Sequence, residues 1–144
     1  MNFIDAYYDK ETGISKVIMQ HLGRRFLGKA QCHPEEEKPS EFAGCSYAEK
    51  RATIKALKYE RKLAKIKSDM AIDFMKSCEA YKDFDKESPT AKVLYKQLNK
   101  RIKKVNDLAD EINNLMKELD QEMQRRDIVT RALDRHRAKQ DNES

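Results

Sequence analysis

The fold of this chain is decided by the stretch from Ala91 to Leu133, AKVLYKQLNKRIKKVNDLADEINNLMKELDQEMQRRDIVTRAL. Apolar residues recur in it at alternating spacings of four and three, and only Arg126 and Thr130 interrupt the pattern. The stretch contains neither Gly nor Pro, so it predicts one long helix whose apolar seam is covered by other helices. The seam comprises Ala91, Tyr95, Leu98, Ile102, Val105, Ala109, Ile112, Met116, Leu119, Met123 and Leu133.

A shorter stretch before it carries an apolar stripe of its own. Ser46 and Glu49 fit a capping box and predict that a first long helix spans residues 46–84. After a turn at 85–88, Ser88 and Pro89 are a favourable N-cap and first residue for a second long helix over 89–137, followed by a frayed tail at 138–144. The stripe of the first helix comprises Ala52, Ala56, Tyr59, Leu63, Ile66, Met70, Phe74, Cys78 and Tyr81.

The charges of the two helices predict that they pair antiparallel. Residues 47–68 carry eight Lys or Arg and two Asp or Glu, whereas residues 105–123 carry one cation and six acids. Residues 69–88 carry three cations and six acids, and residues 89–104 carry six cations and no acid. A short turn between long helices favours a hairpin, and folding about residue 86 places each basic block beside an acidic block. A parallel arrangement would bring like charges together.

The N-terminal segment and linker, residues 1–45, are less regular. Ile14, Val17, Ile18, Leu22 and Phe26 fall at helical spacing and predict one short helix, and the polar residues 33–40 include two prolines and predict a linker. The expected fold class is therefore all-α: a long, coiled-coil-like antiparallel helical hairpin preceded by an irregular segment with one short helix.

The two helices carry more apolar surface than one hairpin can cover. Leu94, Leu108, Leu115 and Val129 widen the face of the second helix, and Ile54, Leu57, Ile72 and Met75 lie beside the stripe of the first. Such a surplus is typical of a partner interface, unless the N-terminal helix covers it in a monomer. The candidate interface comprises Leu94, Leu98, Ile102, Val105, Leu108, Ile112, Leu115, Met116, Leu119, Met123, Val129, Leu133, Ile54, Leu57, Leu63, Ile66, Met70 and Phe74.

Residues that could carry chemistry form no catalytic or metal-binding motif. Cys32, His33 and Cys45 are three possible ligands at a spacing that matches no zinc motif. The odd number of cysteines argues against a disulfide framework, and no Ser or Cys has a base and an orienting acid beside it in a recognisable pattern. We therefore expect no enzymatic activity, no metal and no cofactor.

The expected function is structural: a self-assembling helical subunit, in a bundle or filament, that associates with itself or with another helical protein. A binding module such as a chaperone, adaptor or inhibitor protein is the alternative. Nucleic-acid binding is a third and less favoured class, since the net charge is +5 but most cations gain acidic neighbours in the hairpin. Its candidate contacts are Arg125, Arg126, Arg131, Arg135 and Arg137.

The sequence also bears on the compartment. No apolar run approaches the roughly 20 residues of a transmembrane helix, and the N-terminus lacks the pattern of a signal peptide. A cytoplasmic location is the default expectation. Export without a signal peptide and incorporation into a larger particle stay open as alternatives.

Overall fold

The chain forms a three-stranded antiparallel sheet followed by two long helices. In the computed structural model the elements are β1 (Asn2–Asp9), β2 (Ile14–His21), β3 (Arg24–Gln31), α1 (Glu41–Glu79) and α2 (Pro89–Glu143). The structure describes the backbone of residues 1–31 and 41–143, and the side chains in these ranges except those of 41–43, 126–131, 133, 134, 137 and 141–143. The chain divides into two compact units: the sheet unit, Met1–Lys55 with Asn113–Ser144, and the hairpin unit, Ala56–Ile112.

The expected all-α fold class is wrong, because the N-terminal segment forms a sheet with strand order β1-β2-β3. The residues assigned to a short helix instead form β2 and the start of β3. Ser15, Val17 and Met19 are buried and Lys16 is exposed, which is the two-residue period of a strand. The sequence does not show this period clearly, because a polar residue, Ser15, points into the core and an apolar residue, Ile18, lies on the other face.

The turn between β2 and β3 contains only two residues. His21 pairs with Arg24, so Leu22 and Gly23 form the whole loop, and their φ angles are 51° and 76°. Two consecutive residues with positive φ are what a type I′ hairpin turn requires.

The turn between β1 and β2 is closed by Asp9. The backbone carbonyl of Asp9 accepts a hydrogen bond from the amide of Gly13 at 2.8 Å, and its carboxylate accepts one from the amide of Glu11 at 2.9 Å. Gly13 has a φ of 69°, a conformation that glycine adopts without a steric penalty. The side chain and the glycine together fix the loop that connects the first two strands.

One face of the sheet packs directly on the backbone of α1. Gly28 of β3 lies so close that a β carbon at this position would come within 1.8 Å of the carbonyl oxygen of Ala48. Only a residue without a side chain permits this approach. The surrounding core of the sheet unit comprises Val17, Met19, Ala30, Ala48 and Ala52.

The two helices contact each other in antiparallel order within the hairpin unit. The Tyr95 hydroxyl donates a hydrogen bond to the Glu79 carboxylate at 2.6 Å. Further along α2, Arg101 donates to the backbone carbonyl of Lys67 at 3.4 Å. Residues later in α2 therefore meet residues earlier in α1.

The same order holds within the sheet unit. The Tyr47 hydroxyl donates a hydrogen bond to the backbone carbonyl of Glu122 at 3.4 Å, and the Lys50 ammonium forms an ion pair with the Glu122 carboxylate. Both partners of Glu122 are partly buried, so this contact is shielded from solvent more than an ordinary surface pair.

The start of α2 is capped as the Ser88-Pro89 pair predicts. The Ser88 hydroxyl accepts a hydrogen bond from the Ala91 amide at 3.2 Å, which satisfies one of the unpaired amides of the first turn. Ser46, by contrast, lies inside α1, which begins at Glu41. The capping box at Ser46 therefore does not mark the start of that helix.

Candidate interaction surface

Most residues of the candidate interface on α2 are used inside the chain. Leu108, Ile112 and Leu119 are buried, and Leu94, Leu98, Val105 and Leu115 are half-buried. Ile102, Met116 and Met123 are exposed, although the sequence pattern places them in the main seam. Leu108 and Leu115 thus lie further inward than the adjacent seam residues Ala109 and Met116. The side chains of Val129 and Leu133 lie outside the described residues.

The buried residues of α1 coincide with its sequence stripe only at Ala52 and Ala56. In the hairpin unit, α1 buries Ala56, Leu57, Ala64, Ser68 and Met75. In the sheet unit, it buries Ala48, Ala52 and Ile54. Three of the five buried positions in the hairpin unit carry small side chains, so a search for large hydrophobic residues does not identify the seam.

Three large apolar residues from the sequence stripe of α1 remain exposed in the hairpin unit. Ile66, Met70 and Phe74 are 48%, 66% and 55% exposed, and Leu63, one turn earlier, is half-buried. Spacings of three, four and four place these residues on one helix face. We call Leu63, Ile66, Met70 and Phe74 the α1 stripe. An apolar row of this kind is a candidate contact surface.

A shallow cleft of about 210 Å³ between α1 and α2 adjoins the α1 stripe. Two stripe residues, Met70 and Phe74, form part of its wall, so the apolar surface continues from the helix face into a depression. The full lining comprises Met70, Ala71, Phe74, Met75, Leu94, Gln97, Leu98 and Arg101.

Charged residues flank the α1 stripe on one side. Lys62 and Asp73 are both exposed, and they are eleven residues apart, which is close to three helical turns. They therefore lie on the same side of the helix, about 16 Å apart along its axis. Among the described residues neither side chain has an ion-pair partner.

The outer edge of β3 is covered by cations from α1. Arg51 donates a hydrogen bond to the backbone carbonyl of Lys29 at 2.5 Å, and Lys55 donates one to the carbonyl of Leu27 at 2.7 Å. The two carbonyls are two residues apart and so point to the same edge of the strand. Because β3 is the last strand of the sheet, these bonds satisfy groups that another strand would need.

The opposite edge strand, β1, is irregular. Its pairing register with β2 shifts between Phe3 and Asp5, and the Asp5 carboxylate accepts the amide hydrogen of Ala6 at 2.8 Å. Bulges and charged side chains of this kind protect sheet edges against pairing with other strands. The Asp5 carboxylate also raises the pKa of Tyr7 through a hydrogen bond.

The acid-free part of α2 forms a basic face in the hairpin unit. An open cleft there is lined by Lys92, Tyr95, Lys96, Asn99, Lys100 and Lys103. Lys92 pairs with Glu87 at 3.6 Å, and the hydrogen bond from Tyr95 to Glu79 raises the pKa of that phenol. A solvated lysine face is the ordinary state of a surface helix.

The structure describes only some of the other candidate residues. Cys45 is half-buried and unpaired, while Cys32 and His33 lie outside the described residues. In residues 1–31 and 41–143, His, Cys, Asp and Glu form no group of three that could hold a metal. Arg125 and Arg135 are exposed, and the side chains of Arg126, Arg131 and Arg137 are among those not described.

Neither of the described helices has an apolar stretch that could cross a membrane. The roles of Gly28, Arg51 and Lys55 do not follow from the sequence pattern, because they depend on a sheet that this pattern does not predict. No protein-family model, curated protein or solved structure matches the chain.

Proposed function

We propose that this protein is a non-enzymatic, self-assembling subunit that associates through the α1 stripe. The observation that carries the proposal is the row of Ile66, Met70 and Phe74, each about half exposed or more. Covering one fully exposed large apolar side chain contributes on the order of 1.5–3 kcal/mol, and because these three are already about half covered, each contributes roughly half of that. A symmetric contact covers the row of both chains and so doubles this contribution.

The buried seam leaves the stripe available for a partner. Leu57 and Met75 of α1 and Leu108 and Ile112 of α2 are already covered within the hairpin unit, so they contribute to folding and not to association. The α1 stripe is the part of the expected interface that is left uncovered on this helix.

The sheet edges favour a helical interface over strand addition. Arg51 and Lys55 occupy carbonyls of β3, and a bulge with the Asp5 carboxylate interrupts β1. A partner strand would have to displace these groups before it could form ladder hydrogen bonds. Association through the stripe requires no such rearrangement.

The test is the mass of the purified protein as a function of concentration, measured by light scattering after size exclusion. We expect an assembly of more than one chain, and we expect Met70→Glu to reduce it to a single chain. The substitution places a charge at a 66% exposed position, so the fold is kept, which circular dichroism checks. Val93→Glu is the matched control, because Val93 is 55% exposed on α2 outside the stripe.

Two results would contradict the proposal. A wild-type protein that stays a single chain at all concentrations would favour the alternative, a helical binding module for a different protein. An assembly that persists in Met70→Glu would show that the chains associate through another surface.

A further inference from the structure

The α1 stripe lies where the charge of α1 changes sign. From Leu57 to Lys67 the helix carries five Lys or Arg and one Glu, and from Asp69 to Glu79 it carries three acids and one Lys. The boundary between the basic and the acidic half falls at Ser68. The stripe residues lie on both sides of this boundary.

Three pairs of residues in this segment have nearly the same midpoint. The midpoint of Ile66 and Met70 is Ser68, and that of Leu63 and Phe74 falls between Ser68 and Asp69. The midpoint of the flanking charges, Lys62 and Asp73, falls between Lys67 and Ser68. The apolar row and the charges beside it are therefore arranged about one point of the helix.

We propose that two copies of the chain associate by packing their α1 stripes antiparallel about a two-fold axis at the level of Ser68. This inference rests on the proposed function. In that arrangement Ile66 of each copy meets Met70 of the other, and Leu63 meets Phe74. Lys62 and Asp73 are too far apart to pair within one helix, but Lys62 of each copy comes beside Asp73 of the other.

The charges select the antiparallel orientation. In a parallel pair Lys62 would lie beside Lys62 and Asp73 beside Asp73, and the basic half of one helix would face the basic half of the other. A contact about a two-fold axis uses the same surface on both chains and closes on itself. The species formed through this surface is therefore a dimer.

The test is a charge exchange, with the dimer dissociation constant measured by analytical ultracentrifugation. Lys62→Asp alone and Asp73→Lys alone each replace two attractive contacts by repulsive ones. We expect each to weaken the dimer about tenfold, since two surface pairs of roughly 0.5–1 kcal/mol each are lost. The double variant Lys62→Asp with Asp73→Lys restores both pairs, and we expect its dissociation constant to return to the wild-type value.

The failure of this inference is distinguishable from the failure of the proposed function. If Met70→Glu abolishes association but the charge exchange shows no rescue, the stripe is an interface with a different orientation or register. If the wild-type chain never associates, both proposals are overturned. Helicity is measured for every variant, and since both positions are exposed, we expect it to be unchanged.

A second readout measures the orientation directly. Spin labels at position 69 lie close to the proposed axis and should be near each other. Labels at position 58 lie ten residues from the axis, so antiparallel packing separates them by about 30 Å along the helices. Equal distances for the two label positions would indicate parallel packing and overturn the inference.

Discussion

Gly28 of β3 and Ala48 of α1 meet backbone to backbone. A β carbon at residue 28 would lie 1.8 Å from the Ala48 carbonyl oxygen and 2.6 Å from the Ala52 amide nitrogen. Neither atom is the end of a flexible side chain, so the strand and the helix would have to move apart. The close packing of the sheet on α1 therefore requires a residue without a side chain at position 28.

Gly28→Ala is expected to loosen the sheet from α1. Overpacking of a filled core costs about 1–3 kcal/mol, and occasionally more; because the clash is with backbone, we expect the upper end of that range. The measurement is the free energy of unfolding in urea. Lys29→Ala, at the exposed neighbouring position, is the control and should change it little. An unchanged stability of Gly28→Ala would mean that the sheet does not approach α1 this closely.

Ile112→Asp is expected to destabilise the pairing of the helices. Ile112 is buried in the hairpin unit, so the substitution removes apolar contacts and buries an unpaired carboxylate, at a cost of roughly 3 kcal/mol or more. Thermal unfolding followed by circular dichroism measures the effect. Asn113→Asp, at the next and exposed position, adds the same charge without burial and should be close to neutral. Equal melting temperatures for the two variants would contradict the proposed seam.

Leu22→Asn is expected to stabilise the β2–β3 turn. Leu22 has a φ of 51°, a conformation that costs a β-carbon-bearing residue about 1 kcal/mol and that Asn tolerates better. Its side chain is 54% exposed, so little apolar contact is lost. We expect a gain of about 0.5–1 kcal/mol in the free energy of unfolding. Leu22→Ala keeps the strain and should give no gain; an Asn variant no more stable than this control would refute the argument.

Asp9 is expected to make the stability of the sheet depend on acid pH. The pKa of the Asp9 carboxyl is below its ordinary value, mainly because the carboxylate accepts a hydrogen bond from the Glu11 amide. A hydrogen bond with the Thr12 side chain lowers this pKa further. The folded state thus favours the ionised form, and the contribution is present above the ordinary carboxyl pKa and lost as the pH falls through the lowered one. Asp9→Ala should be less stable than wild type at neutral pH, and the difference should shrink in strong acid, where the protonated carboxyl keeps only an uncharged acceptor.

Urea unfolding at a series of pH values measures this difference. Asp9→Asn is the control, since the amide oxygen can still accept the Glu11 hydrogen bond without ionising. It should lie between wild type and Asp9→Ala at neutral pH. A gap between wild type and Asp9→Ala that does not change with pH would contradict the role of the ionised carboxylate.

The helices could be predicted because their signals are repeated many times. Six heptads without Gly or Pro predict that α2 is one continuous helix, and Ser88 and Pro89 predict where this helix begins. The buried residues of α1 are harder to predict, because the helix buries Ala64 and Ser68 and exposes Met70 and Phe74. Hydrophobicity selects the larger side chains, whereas close packing of two helices accepts the smaller ones.

The sheet could not be predicted because its signals are individually weak. Leu22-Gly23 lacks the Asn or Asp that usually identifies a type I′ turn, and buried Ser15 interrupts the apolar alternation of β2. The packing partners of the strands lie in α1, beyond the linker, so their identity follows from tertiary contacts and not from local sequence. One usable signal was present: Gly13 and Gly23 bracket a strand-length segment.

Because the helices run antiparallel, the number of residues between two contacting side chains increases with their distance from the connection between the helices. Tyr95 and Glu79 are 16 residues apart, Arg101 and Lys67 are 34 apart, and Tyr47 and Glu122 are 75 apart. The entropy lost on closing a loop rises with its length, so the contacts nearest the connection between the helices form at the least cost. The contact of Tyr95 with Glu79 therefore closes at the least entropic cost of the three, and the contact of Tyr47 with Glu122 closes at the greatest.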